Sequence, residues 1–426
     1  MKVLIIGSGG REHVLAWKVS RSPLLKKLYA APGNAGIAEI AECVEIQPDN
    51  IQGLAEFALK EGIDLTIVGP EAPLVMGICN IFRQKGLRIF GPDKDSARLE
   101  GSKAYAKELM HKFSIPTAQF ETFSTVNEAK HYAIEAEMPV VIKADGLAAG
   151  KGVVICLSSQ EAVETLNRMM IDNVFGEAGR KVVIEELLEG EELSILALTD
   201  GERVIPLASS QDHKRAYDND RGPNTGGMGA YSPCPQISID KLNELIDLTV
   251  KPMINGLAQQ GRPYKGLLYA GLMLTNKGPF VLEYNCRFGD PEAQVVLPRL
   301  KTDLLLVMTE IANGKLQTES LEWLDKASVG IVLASGGYPG VYEKGFRIAG
   351  LESIKTTEDI LVFHSGSNRS SNGDIVTSGG RVLTVVGLGE TLRAAHDKAY
   401  QGAAKVRFEY SFYRRDIARR ALEVLR

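Results

Sequence analysis

Between Gln211 and Pro233 the chain reads QDHKRAYDNDRGPNTGGMGAYSP, and no other stretch limits the fold as much. It carries six charged residues of both signs and four glycines, with no Val, Leu, Ile or Phe. Such a run has no side chains with which to build a core, so it is either a disordered linker or a shaped binding loop. Gly226, Gly227 and Gly229 permit positive φ or a close approach of backbone to a phosphate or small substrate. Strand-like runs flank it, Arg203 to Ala208 before and Leu268 to Leu274 after. Its mixture of Asp, His, Lys, Arg, Asn, Tyr and Met is unlike a monotonous linker, and a functional loop is expected.

The rest of the chain supplies core material. Its 426 residues are 44% hydrophobic and 24% charged, enough for roughly two to four domains. Short apolar runs at Lys2–Ile6, Asp64–Val68 and Leu87–Phe90 each end in a glycine turn and alternate with helical segments, predicting a parallel sheet flanked by helices. That unit is expected to span 1–102. A second, 103–189, holds strands Pro139–Lys143, Val153–Cys156 and Val182–Glu185. A third, 190–322, holds the opening stretch and the run Phe280–Pro291. The last, 323–426, starts with strand Val329–Ala334, continues through Arg381–Val386 and ends in a long helix from Leu392.

Net charge is −4, which argues against nucleic acid as a bulk partner. The opening KVLIIG is too short for a signal-peptide core, and no apolar run reaches membrane-spanning length. The five cysteines lie far apart without zinc spacing, fitting a reducing cytoplasm and buried small side chains.

Four motifs carry possible chemistry. GSGGRE at Gly7–Glu12 fits a dinucleotide fingerprint poorly, because Glu12 stands where the third glycine belongs; amides at a helix start remain able to bind another phosphate. The alternative is a tight strand–helix turn without a ligand. Gly146 to Gly152, GLAAGKG, is one residue short of a phosphate-binding Walker loop and joins two strands, so it reads as a glycine-rich hairpin able to fold over nucleotide phosphates as a lid, with Gly146, Gly150 and Gly152 among the backbone N–H donors. Lys143 ends the preceding strand within reach of the same phosphates, although a mobile hairpin with a solvated lysine would look alike. Val182–Glu192 follows an apolar strand with five acids, either a solvated face or a hinge that reads an adenine edge. In Phe280–Pro291, Glu283, Asn285 and Arg287 alternate onto one strand face, offering two hard oxygen donors for a cation and a guanidinium for phosphate. A plain ion pair between Glu283 and Arg287 is the alternative.

Taken together, the hairpin, Lys143, the acidic hinge and the Glu-x-Asn strand resemble the ATP-grasp superfamily. The strings GSGGREH, VGPEAPL, KADGLAAGKGVV, QDHKR, GPNTGGMGAYSP, LYAGLM, EYNCRFGDPE and GGRVL are similar to the glycinamide ribonucleotide synthetase family, in order along essentially the whole chain. The resemblance implies a multidomain α/β and α+β fold: a Rossmann-like N-terminal domain, an ATP-grasp core of two α+β units and a small C-terminal α/β domain. It implies a cytoplasmic ligase of purine biosynthesis, monomeric or homodimeric, that joins glycine to 5-phosphoribosylamine with ATP and Mg²⁺ or Mn²⁺. It also implies the site. Lys103 and Lys143 would contact ATP phosphates under the hairpin, Glu185, Glu186 and Leu188 would face adenine, and Glu192 the ribose. Glu283 and Asn285 would hold the metal and Arg287 the transferred phosphoryl group. Gly9, Gly10, Pro70 and Glu71 would meet phosphoribosylamine, while Asp212, Gly289 and Asp290 would line the glycine and amine sites. Leu268–Met273 offers no further acidic metal ligand. Competing readings are another carboxylate–amine ligase on the same scaffold, an NAD-dependent oxidoreductase, and a nucleotide-binding protein without catalysis; intact Glu283, Asn285 and Arg287 oppose the last.

Overall fold

The computed structural model describes residues 1–148, 151–355 and 357–425. The N-terminal part is a five-stranded parallel sheet of β1 (Lys2–Gly7), β2 (Lys27–Pro32), β3 (Glu42–Cys43), β4 (Leu65–Val68) and β5 (Ile89–Phe90), in the order β3-β2-β1-β4-β5. Val3, Leu4, Ile5 and Ile6 are fully buried, as a strand covered on both faces requires. The helix Gly10–Val19 follows β1 directly.

The next unit is a four-stranded antiparallel sheet built from β6 (Phe120–Phe123), β7 (Val140–Ala144), β8 (Val153–Cys156) and β9 (Val182–Glu186), ordered β6-β9-β7-β8. Two of its helices start at a Ser or Thr followed three residues later by Glu, and the two starts differ. Ser158 Oγ accepts from the Glu161 amide at 3.2 Å, whereas the Thr125 hydroxyl bonds to the Glu128 side chain and caps no amide.

A second antiparallel sheet contains β10 (Glu191–Thr199) and β11 (Val204–Pro206). The opening stretch then departs from expectation. It is no structureless loop but four short strands, β12 (Gln211–Asp212), β13 (Arg215–Tyr217), β14 (Arg221–Asn224) and β15 (Gly229–Ser232). With β16 (Gly266–Thr275) and β17 (Gly278–Asn285), β10 and β11 form a sheet ordered β11-β10-β16-β17. The C-terminal strands are β18 (Ala327–Ala334), β19 (Ile360–His364), β20 (Ser367–Arg369), β21 (Ile375–Thr377) and β22 (Arg381–Gly389).

The third sheet runs β12-β15-β18-β22-β19, so it crosses the boundary expected near residue 323. β15 pairs antiparallel with β18, Gly229 opposite Ile331, and β12 pairs with β15. The ends of this stretch, β12 and β15, therefore gain their structure from backbone pairing on a distant, buried strand, while β13 and β14 pair with each other. Of its three singled-out glycines, Gly227 alone takes positive φ, at +110°. The other two allow close approach: a Cβ on Gly226 would lie 2.9 Å from the Arg381 guanidinium, and one on Gly229 would lie 2.7 Å from the Gly330 carbonyl oxygen.

Candidate active site

A cavity of 650 Å³ lies between the β7–β8 hairpin, β9 and β17, and residues from all four parts of the chain reach its wall. The hairpin contributes Leu147, Ala148, Lys151 and Gly152. Gly150 falls outside the described residues. Gly146 is not at the wall; a Cβ there would lie 2.7 Å from that of Ala178, so this glycine lets the hairpin base pack closely.

Besides Lys151 on the hairpin, four lysines arrange the charge. The helix Lys103–Lys112 starts beside the hairpin because Asp145 Oδ1 accepts from the Ala104 amide at 2.7 Å, and Ser102 Oγ also bonds to Asp145. Lys103 Nζ then donates to the carbonyls of Ala144 and Gly146 at 3.0 and 3.1 Å. One turn along the same face, Lys107 donates to Thr117 Oγ1 at 2.7 Å and pairs with Glu185, as does Lys143. Burial lowers Lys107 to about 8. Burial works to raise Glu185, but Lys143 and Lys107 hold it below the usual carboxylate range. Its carboxylate lines the wall enclosed between two ammonium groups. Glu186 and Leu188 line the hinge wall, and Glu192 lines the wall near the fourth lysine, Lys214, at 3.2 Å.

Opposite the lysines is an acidic face. Glu283 and Asn285 on β17 point into the cavity while Tyr284 and Cys286, each 1% exposed, point into the core, as strand alternation requires. Burial favours the protonated Glu283, yet Lys214, Lys143, Lys103 and Arg287 keep its pKa below the ordinary value. Asp212, delivered by β12, shows the reverse: burial and the carboxylates of Glu292, Glu192 and Glu283 raise it well above normal despite Lys214. Among the described residues, no group of three or more His, Cys, Asp or Glu side chains is placed to hold a metal ion. The donor set nevertheless fits a hard divalent cation. Asn285 Nδ2 donates to Glu283 Oε1 at 3.5 Å and its Oδ1 accepts from Arg287 Nη2 at 3.4 Å, so the two side chains adjoin, and the crowding that raises Asp212 is what a nearby cation relieves.

Arg287 joins this face to the N-terminal part. Its Nη2 lies 2.8 Å from Glu100 Oε1 and its Nε 3.4 Å from Glu71 Oε2, while Arg11 Nη1 is 3.9 Å from the same Glu71 oxygen. Glu71 and Asp290 are at the wall. Gly9, Gly10, Pro70 and Gly289 are not, and each has a packing duty. Glu12 Oε2 accepts from the Gly9 amide at 2.5 Å, so the chain's own carboxylate occupies the helix start that was expected to hold a phosphate. The same contact explains why the fingerprint breaks at Glu12. A Cβ on Gly10 would lie 2.5 Å from Gln294 Nε2, one on Gly7 3.0 Å from Pro70 Cδ, and one on Gly289 2.4 Å from Glu292 Oε2.

Sequence reasoning missed several wall residues: Arg11, Glu100, Lys107, Lys214, Tyr269, Glu292 and Arg381. Lys107 had a signal, because it follows Lys103 at i+4 and so shares its helix face. Lys214 lies two residues after Asp212, on the same side of an extended segment. Arg381 had none. It donates to the carbonyls of Gly226 and Asp290 at 2.6 and 2.7 Å and pairs with the Asp290 carboxylate at 3.0 Å, contacts that exist only once β22 lies beside β18.

Comparison with known proteins bears on this arrangement. Residues 1–100, 101–293 and 328–420 match the models described as phosphoribosylglycinamide synthetase N domain, ATP-grasp (A) domain and C domain. A phosphoribosylamine–glycine ligase of Halalkalibacterium halodurans is 52% identical over 99% of this chain and 97% of its own. One from Escherichia coli O157:H7 is 48% identical over 99% of both. The crystal structure of the Thermotoga maritima phosphoribosylamine–glycine ligase superposes with a TM-score of 0.85 at 38% identity, covering 98% of this chain and 100% of that one. Campylobacter jejuni biotin carboxylase shares the fold, with a TM-score of 0.74 at 14% identity over 96% of this chain and 92% of that one.

Proposed function

The chain belongs to the phosphoribosylglycinamide synthetase family and is a ligase, and from that premise we propose how its cavity joins glycine to 5-phosphoribosylamine in purine biosynthesis. A glycine carboxylate oxygen attacks the γ-phosphorus of ATP, ADP leaves, and glycyl phosphate forms. The amine of phosphoribosylamine then attacks the acyl carbon, phosphate departs with the C–O bonding pair, and the nitrogen loses a proton to give glycinamide ribonucleotide.

Two anions must meet, so cations must screen them. The observation that carries the reading is the meeting of Lys103, Lys143 and Lys214 with Glu283, Asn285 and Arg287 in one cavity. Lys103 and Lys143 would take ATP phosphates beneath the Gly146–Gly152 hairpin, which would exclude the water that hydrolyses an acyl phosphate. Glu186 and Leu188 would border the adenine and Glu192 the ribose. Glu283 and Asn285 would hold Mg²⁺ or Mn²⁺, whose positive charge would offset that of the phosphate oxygens. Arg287 would steady the transferred phosphoryl group. Glu71 would meet phosphoribosylamine, and Asp212 and Asp290 would line the glycine and amine sites. Among the described residues no helix is long and apolar enough to cross a membrane, and a cytoplasmic monomer or homodimer working on small molecules is the form we propose.

The test is ADP release with Mg-ATP, glycine and phosphoribosylamine formed in the cuvette from ribose 5-phosphate and ammonia, omitting each in turn. ADP only when all are present is the expected result; turnover with another acid in place of glycine would overturn the named substrate. Glu283→Ala should cut turnover by about a hundredfold or more, the loss seen when a preorganised charge-stabilising group is removed, with the fold intact. Near-normal turnover of that variant would remove Glu283 from the metal site.

A further inference from the structure

Glu185, 4% exposed, is paired at one oxygen with Lys143 and at the other with Lys107. If Lys143 serves an ATP phosphate, as proposed above, the phosphate competes with Glu185 for its ammonium. A buried carboxylate stripped of its partner strongly opposes that exchange. Lys107 has the placement to remove the obstacle. It is 2% exposed, and the Thr117 hydroxyl that accepts from it already donates its proton to the Val281 carbonyl at 2.7 Å. Thr117 can thus only accept toward Lys107, which fixes the ammonium in place by protein partners alone. Val281 and Leu282, whose carbonyl accepts from Lys143 at 3.4 Å, both precede Glu283 on β17, so the two lysines bridge β9 to the strand expected to hold the metal.

We propose that Lys107 is a positioning residue for nucleotide binding: it keeps Glu185 neutralised, so that Lys143 can pass from Glu185 to an ATP phosphate without leaving a buried charge unpaired. The proposal rests on the phosphate role given to Lys143. Without Lys107, Lys143 is the sole counter-ion of Glu185 and is held back from the nucleotide. Neutralising Glu185 as well should release it, an epistasis that a packing role for Lys107 does not produce.

The experiment is titration calorimetry of the full-length chain with Mg-ATP, alongside steady-state kinetics. Lys107→Met is expected to weaken ATP binding at least roughly tenfold, or about 1.4 kcal/mol, with more of the loss in KM for ATP than in kcat. The double variant Lys107→Met/Glu185→Gln is expected to return to within about threefold of the parent. Normal affinity in Lys107→Met, or a double variant as weak as the single one, overturns the proposal. If Lys107→Met does not fold, the double variant, which removes the buried carboxylate itself, decides alone by the same threefold and tenfold limits. Lys143→Met separates the two levels: normal ATP binding in that variant removes the phosphate role of Lys143 and this inference with it. Weakened binding there beside a normal Lys107→Met removes only the role of Lys107.

Discussion

The β6–β9 unit and the rest of the molecule hold together in different ways. The β6–β9 unit has a small core of its own, formed by residues between Ala129 and Ile184, such as Ile142, Leu166 and Met169. The remaining sheets share two larger cores that mix residues from both ends of the chain, from Leu4 to Leu422 and from Val3 to Val386. Neither large core takes a residue from the stretch between Ile115 and Leu193. What crosses the gap is polar: Lys103 to the Ala144 and Gly146 carbonyls, Lys107 to Glu185 and Lys143 to the Leu282 carbonyl. A unit with a private core and polar links can open while the rest stays folded. Two of the three lysines that tie it down, Lys103 and Lys143, are those we assign to the nucleotide, so binding and closure share groups.

The sharpest way to break this contrast is to cut each core. Leu268→Ala and Leu166→Ala both remove a fully buried side chain, at a cost of about 2–5 kcal/mol. Leu268→Ala should lower the main unfolding transition and hydrogen-exchange protection throughout. Leu166→Ala should speed exchange only within 120–186 and weaken ATP binding. Global loss of protection in Leu166→Ala would show that the small core is not separate.

Acid should sharpen the same contrast with a smaller effect. Burial, then His364, lowers His13 from the ordinary 6.5 to about 3, and burial, then Arg414, lowers His213 to about 4. Above pH 6.5 these rings are neutral both folded and unfolded, so they add no pH dependence. Below it the unfolded chain takes the proton first, and stability falls as pH drops toward the folded values. His13 alone, 7% exposed, should cost about 2 kcal/mol at pH 5. Both residues lie outside the β6–β9 unit, so exchange between pH 7 and 5 should rise elsewhere before it rises there. A melting temperature equal at both pH values would mean that His13 is not held neutral.

The smallest effect is confined to one helix end. Ser158→Ala removes the acceptor for the Glu161 amide and should cost about 1 kcal/mol within the β6–β9 unit, read as faster exchange in Ser159–Leu166 with the main transition unmoved. A shift of the main transition would join that helix to the larger cores.

Where the sequence was legible, the cause was local. The unbroken apolar run of β1 announced a covered parallel strand, and the alternation in β17 put Glu283 and Asn285 on one face and Tyr284 and Cys286 on the other. The hairpin between β7 and β8 was legible from two apolar runs around glycines. Gln211–Pro233 was legible in composition but not in form, since β15, and through it β12, pairs with β18, which lies about a hundred residues away along the chain, while β13 and β14 pair with each other.

The sequence by itself determined the alternating strands and helices of the N-terminal part, the face of β17 that carries Glu283 and Asn285 (Arg287, expected on the same strand, lies just past its end), and the family. It could do so because periodicity, turn chemistry and motif strings are properties of neighbouring residues. Only the tertiary structure decided that Glu12 fills its own helix start, that Arg381 fastens Gly226 to Asp290, and that Glu185 sits between Lys107 and Lys143. Each of those depends on burial and on which distant groups share a cavity. The charge state and partner of a buried group follow from that enclosure, which no local pattern encodes.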